Sequence, residues 1–195
     1  MRKLLFLLIL TTIMGIHAYA QQYTKTSLTE GVHPGTITTL DGQVLKGYII
    51  NRDRQYNQKE CVFYTDYTDS HTKKIYKPAD IAGYTIENTQ YKSINYSGNI
   101  SFGKPDRHFV YIVQPGAITT FIYWANEEQP VWQKNNDEPV SNSSMLLSFK
   151  KSVLKLVGDD AELAAKIDSK EKGYGMLNIQ QIVNEYNTWA ESKKQ

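Results

Sequence analysis

Chemistry at neutral pH draws on histidine, cysteine and clustered carboxylates, and this chain spaces them far apart. Past residue 20 the histidines are His33, His71 and His108, with no pair at metal-ligand spacing. His71 near Asp69 and His108 near Asp106 read as solvated loop positions. Asp66 and Asp69 offer oxygen ligands for calcium but lack the rest of a binding-loop pattern. Glu127-Glu128 is an acidic turn, and a glycosidase would need a second carboxylate facing it across a cleft. Cys61, the single cysteine, sits in the strand-like run Glu60-Cys-Val-Phe-Tyr64 and reads as a packed core thiol; no intramolecular disulfide can form. The sequence holds neither a G-x-S-x-G elbow nor a Gly-rich phosphate loop. It assigns no catalytic residue, no metal ligand and no cofactor.

What it does offer is aromatic surface. The chain carries 14 tyrosines and 3 tryptophans, many in strand-like runs, where they pack half-buried or form platforms for sugars and peptides. In Ile118-Thr-Thr-Phe-Ile-Tyr-Trp124, Phe121 and Tyr123 share one face while Ile122 and Trp124 share the other. A strand apolar on both faces is either covered twice or presents a binding surface. Trp124 and Trp132 are therefore the candidate ligand-binding residues, with cover by the helical tail as the competing reading.

These residues must be positioned by strands. Around Asp41-Gly42, a three-residue loop Leu40-Asp41-Gly42 with left-handed Gly42 pairs Ile37 with Leu45 and Thr38 with Val44. A two-residue loop would mix the faces. A second strand pair, 59–67 with 73–76, a short helical turn at Pro78-Ala-Asp-Ile81 and a strand from Gly83 follow. Tyr91 to Ser97, then Phe109 to Val113 and Ala117 to Trp124 about a Pro115-Gly116 turn, and a short run Val131-Trp132-Gln133 make a meander.

From Met145 the apolar period changes from two to 3.6. One helix is expected over 145–157, a second capped at Asp159 and running to about Lys170, and a third from Asn178 with Leu177 and Ile182 as a hydrophobic staple. Ile179, Ile182, Val183, Tyr186 and Trp189 form its apolar stripe.

The motifs Gly35…Asp41-Gly42…Gly47-Tyr-Ile49, Tyr76-Lys-Pro-Ala-Asp-Ile81 with Gly83-Tyr84, Phe149-Lys-Lys151 and Glu185-Tyr-Asn187 resemble uncharacterised secreted envelope proteins common in Bacteroidetes. The resemblance implies a Gram-negative envelope or exported location and carries no activity. The strand order over 35–88 also resembles an Sm-like small β-barrel, a likeness of architecture alone.

The fold class expected is α+β: an N-terminal antiparallel small β-barrel or roll and a β-meander, followed by a C-terminal three-helix segment. The organisation is a signal peptide over 1–20, an extension over 21–34, an antiparallel region over 35–134 (barrel-like 35–88, meander 89–134), a linker over 135–144 and a helical tail over 145–195. The leader has basic Arg2 and Lys3, an apolar stretch Leu4 to Ile13 and the cleavage site Ala18-Tyr-Ala20. The 22 basic and 20 acidic side chains become 20 against 20 once Arg2 and Lys3 leave with it. That balance disfavours nucleic acid as a partner. No transmembrane segment is expected after removal of the leader.

The function these observations favour is an exported, non-catalytic binding or interaction module of the bacterial envelope, for a glycan, peptide or protein partner. The alternatives are a secreted hydrolase with an unrecognised active site and a structural subunit of an envelope complex. The protein is expected to be secreted, periplasmic or outer-membrane-associated, with cleavage between Ala20 and Gln21. Intact mass spectrometry of exported material should give Gln21 as the first residue, whereas full-length chain accumulating in the cytoplasm would overturn the leader.

Overall fold

The computed structural model describes residues 28–98 and 106–194; the leader and cleavage site expected from the sequence lie outside them. Ten strands form one antiparallel sheet. They are β1 (Gly31–Thr39), β2 (Val44–Asn51), β3 (Cys61–Tyr64), β4 (Lys73–Tyr76), β5 (Ile81–Ile86), β6 (Thr89–Asn95), β7 (Arg107–Gln114), β8 (Ile118–Trp124), β9 (Glu128–Lys134) and β10 (Val140–Ser141). Their order is β10-β9-β8-β7-β6-β5-β1-β2-β3-β4. The chain therefore enters mid-sheet, builds outward to β4, returns to pair β5 with β1 and meanders to the opposite edge. The sheet is not closed into a barrel, and it runs unbroken from the N-terminal hairpins into the meander through β5 and β6.

The first hairpin has the register that like-with-like pairing requires: Ile37 faces Leu45 and Thr38 faces Val44. Gly42 takes φ +88°, a left-handed conformation that side chains with a Cβ resist. Thr39 N–H donates to Gln43 C=O at 2.9 Å and closes the three-residue loop. The apolar partners nevertheless fare differently. Ile37 is fully buried, whereas Leu45 stays 39 % and Val44 58 % exposed, because the start of β2 overhangs the core.

A short helix, α1 (Arg54–Lys59), follows β2. Asp53 caps it by accepting from Tyr56 N–H at 2.8 Å. Its buried residues are Asn57 and Gln58, so hydrophobic periodicity does not announce it. The helical turn expected at Pro78 to Ile81 is instead a single β-turn. The Asp80 carboxylate takes the Lys77 N–H at 2.7 Å, and Ile81 already belongs to β5. The last meander strand begins earlier than expected, at Glu128. Pro130 is tolerated there because its missing N–H lies on the outer side of β9, where β10 has given way to helix.

The helical segment comprises α2 (Asn142–Leu147), α3 (Phe149–Val157), α4 (Ala161–Asp168), a 3-10 turn at Met176–Asn178 and α5 (Ile179–Ser192). The first expected helix is two, broken at Ser148 with φ −155° and ψ 73°. Asp160, not Asp159, caps α4, accepting from Glu162 and Leu163 N–H at 3.1 and 3.2 Å. Asp159 instead accepts from Lys134 Nζ at 2.6 Å and Tyr186 Oη at 2.9 Å, tying β9 to α5. Burial opposes the Lys134 charge, but the hydrogen bonds to Asp159 and Tyr186 outweigh it and hold its pKa above the ordinary lysine value. The expected staple does not form. Leu177 is 99 % exposed, and Met176 packs against the core in its place.

Three apolar clusters result. Ile37, Ile49, Cys61, Phe63, Tyr84 and Phe109 anchor the first. Ile94, Val110, Phe121 and Val131 form a second. Ile118, Trp132, Met145, Leu156, Ile182 and Val183 join the helices to β8 and β9. Cys61 lies in the first cluster as the core thiol expected, and burial raises its pKa. The α5 stripe faces inward through Ile182, Val183 and Tyr186.

One polar side chain fixes α5. The buried Asn187 amide donates to Ile118 C=O at 2.9 Å and accepts from Ile118 N–H at 2.7 Å. Gly116 makes this approach possible, since a Cβ there would stand 2.3 Å from Asn187 Nδ2. Asn187→Ala would strand both buried backbone groups and should lower unfolding free energy by about 2–4 kcal/mol. A denaturant midpoint unchanged from the parent would remove this anchor.

Candidate functional site

The face of β8 that carries Ile118, Thr120, Ile122 and Trp124 is divided along its length. The Ile118 end is covered by the helices. The Trp124 end opens into a cavity of about 310 Å³ beneath α1. Tyr91 of β6, Tyr111 and Val113 of β7, and Ile122 and Trp124 of β8 line it from the sheet. Arg52, Arg54, Asn57 and Gln58 line it from the α1 side, and Glu128 from β9.

What holds α1 over the sheet follows from strand geometry. Ile122 faces Pro130, which has no N–H to give, so the even-numbered residues of β8 turn their backbone groups toward β7. β7 pairs with β8 only from Tyr111↔Ile122 to Gln114↔Thr120. Trp124 lies past that ladder. Gln58 replaces the missing strand: its Nε2 donates to Trp124 C=O at 2.7 Å, and its Oε1 accepts from Trp124 N–H. Gln55 Nε2 adds a bond to Ala125 C=O at 3.0 Å.

The aromatic wall is continuous with the core. Tyr84 stacks on Tyr91 with centroids 4.5 Å apart and planes at 15°, and its hydroxyl donates to Asn57 C=O at 2.7 Å. Tyr91 and Tyr111 lie 5.9 Å apart. Burial pushes both phenols above their ordinary pKa, and the nearby Glu128 charge adds to the shift at Tyr111. At the mouth Arg54 forms a salt bridge with Glu128 and stands 5.0 Å from the Trp124 ring centroid.

The two candidate tryptophans project from the same face of the sheet to different fates. Trp124 is half-buried and lines the cavity. Trp132 is 3 % exposed, opposite Thr120, and belongs to the core beneath the helices. The histidines do not converge. His33 meets Glu87 at 2.9 Å, which holds its imidazole above the ordinary range; exposed His71 meets Asp69 at 3.0 Å; His108 meets Tyr96 C=O at 2.9 Å. Asp66 accepts from Thr68 N–H at 2.9 Å within its own turn. Among the described residues no group of three His, Cys, Asp or Glu is placed to hold a metal, and no helix is long and apolar enough to cross a membrane.

Sequence reasoning missed Arg52, Arg54, Asn57, Gln58 and the Tyr91–Tyr111 wall. The one local signal was Asp53, a good N-cap residue ahead of a six-residue run with no apolar stripe. No family model, no curated protein and no solved structure matches the chain.

Gln58→Met keeps side-chain length but leaves Trp124 N–H and C=O without their amide partner. It should cost about 1–3 kcal/mol and raise hydrogen exchange at Trp124 first. Exchange at Trp124 equal to the parent would show that α1 is held by other contacts.

Proposed function

We propose that this chain is an exported, non-catalytic binding module of the bacterial envelope, and that it takes one unit of a glycan, peptide or protein partner into the cavity beneath α1. The observation that carries this reading is the cavity itself: about 310 Å³, walled by Tyr91, Tyr111, Val113, Ile122 and Trp124, with Arg52, Arg54 and Glu128 also in its lining. Small-molecule sites combine an apolar, aromatic lining with a few placed polar groups in this way. The volume is at the low end for such sites and suits one ring or one side chain.

The envelope location rests on the leader and on the family resemblance. The N-terminal hairpins, whose buried residues share a cluster with β5 and with Phe109 of β7, serve in this reading as the small roll-like unit that carries α1. A hydrolase is the weaker reading. Among the described lining residues Glu128 is the carboxylate, and Arg54 already holds it. A docking role for the two-faced strand is weaker too, since Phe121 is fully buried on one face and the helices cover Ile118 on the other.

The two tryptophans separate recognition from packing. Trp132→Ala should cost about 3–5 kcal/mol, as truncation of a buried aromatic does. Trp124→Ala should melt close to the parent while losing at least about 2 kcal/mol of binding. The measurement is a thermal melt paired with glycan-array and peptide-library binding. Trp124→Ala retaining every interaction of the parent would overturn the cavity as the binding site.

A further inference from the structure

The hydrogen-bonding state of the lining restricts what the cavity can recognise. Asn51 Nδ2 donates to Leu28 and Thr29 C=O at 3.2 and 2.8 Å. Asn57 Nδ2 donates to Asn51 Oδ1 at 2.7 Å and to Arg52 C=O at 3.3 Å, while its Oδ1 accepts from Arg52 N–H at 3.2 Å. Both ends of the Gln58 amide are bound to Trp124. Every one of these amides is part of the scaffold. A sugar ring presents hydroxyls around its whole rim, and burying them against groups already engaged leaves them unsatisfied.

Beside the hydroxyls of Thr89, Tyr91 and Tyr111, the lining offers a ligand apolar surface and positive charge. Val113, Ile122 and the Trp124 indole supply the first. Arg52 and Arg54 supply the second, against the single charge of Glu128. Arg54 is shared between Glu128 and the Trp124 face. Among the described residues Arg52 forms no salt bridge; its guanidinium rests 4.1 Å over the Tyr56 ring, and the neighbouring Glu60 is taken by Lys77 at 2.6 Å. Guanidinium groups bind carboxylates through charge-assisted, paired hydrogen bonds, and they do so more strongly where water is partly excluded.

We infer that the ligand of this cavity is a molecule or peptide end with an apolar body and one carboxylate: the body lies against Val113, Ile122 and Trp124, and the carboxylate meets Arg52 and Arg54. This rests on the reading of the cavity as the binding site. Glu128 is then an internal competitor, occupying Arg54 until the ligand's carboxylate shares it.

The test compares cinnamate with cinnamamide, a pair equal in shape and different in charge, by isothermal titration calorimetry on the exported chain. Cinnamate should bind about tenfold or more tighter, the usual range for a hydrogen-bonded charge. Arg52→Met should weaken cinnamate severalfold, Arg54 keeping the remainder of the preference for the acid, so that the gap between cinnamate and cinnamamide narrows. A gap equal to the parent's would remove Arg52 from the site. Glu128→Gln should raise cinnamate affinity severalfold and leave cinnamamide unchanged, a gain that a loss of folding cannot mimic. N-acetyl-leucyl-phenylalanine and its C-terminal amide distinguish the sources: preference for the free acid, equal to that for cinnamate, assigns a peptide end, and its absence assigns a free small acid. Equal affinity for cinnamate and cinnamamide would overturn the charge inference alone. Failure of both to bind would overturn the cavity reading with it.

Discussion

The structure depends on how one strand, β8, satisfies its backbone at both ends. It lies inside the sheet between β7 and β9, yet β7 pairs with it only from Tyr111↔Ile122 to Gln114↔Thr120, so both of its ends are left without a strand on that side. Buried N–H and C=O groups left over at such ends are expensive, of the order of 1–3 kcal/mol each. Two side-chain amides resolve this. Gln58 pairs with both backbone groups of Trp124, and Asn187 with both of Ile118. An amide presents the same donor and acceptor as a peptide unit, so each helix supplies one residue's worth of strand.

That solution sets the rest of the layout. α5 is pinned at the Ile118 end, where Ile182, Val183 and Tyr186 complete a core with Trp132 and Met145. α1 is pinned at the Trp124 end, but it brings Asn57 and Gln58 inward rather than a stripe of leucines. A helix docked through amides cannot fill the space beneath it as an apolar helix would, and the cavity lies under that helix. The packed half and the open half of one sheet face thus follow from which kind of residue each helix turns toward it.

In the proposed binding role, the same feature would shape recognition. Amides committed to the backbone are rigid and silent toward a ligand, which leaves the arginines and the aromatic wall to speak for the site. Arg54 held between Glu128 and Trp124 is already placed at the mouth, and the Tyr84–Tyr91 stack ties the wall to the N-terminal core. Positioning of this kind lowers the ordering cost of binding.

The sequence by itself determined what depends on near neighbours. Asp41-Gly42 specified the hairpin and its register, the β-branched and aromatic runs on either side of Pro115-Gly116 specified β7 and β8, and the spacing of Ile182, Val183 and Tyr186 specified the buried face of α5. Local errors came from residues with two suitable roles: Asp159 and Asp160 both qualify as caps, and Leu177 qualifies as a staple until the 3-10 turn points it outward. Only the tertiary structure decided that Trp132 becomes core while Trp124 borders a cavity, because both lie on one sheet face and differ only in what covers them. It alone decided the roles of Gln58 and Asn187, whose partners stand 66 and 69 residues away. Periodicity records which side of an element is apolar; an amide that completes a distant strand leaves no periodic trace, since its reason for being there is a backbone group that the fold alone brings within reach.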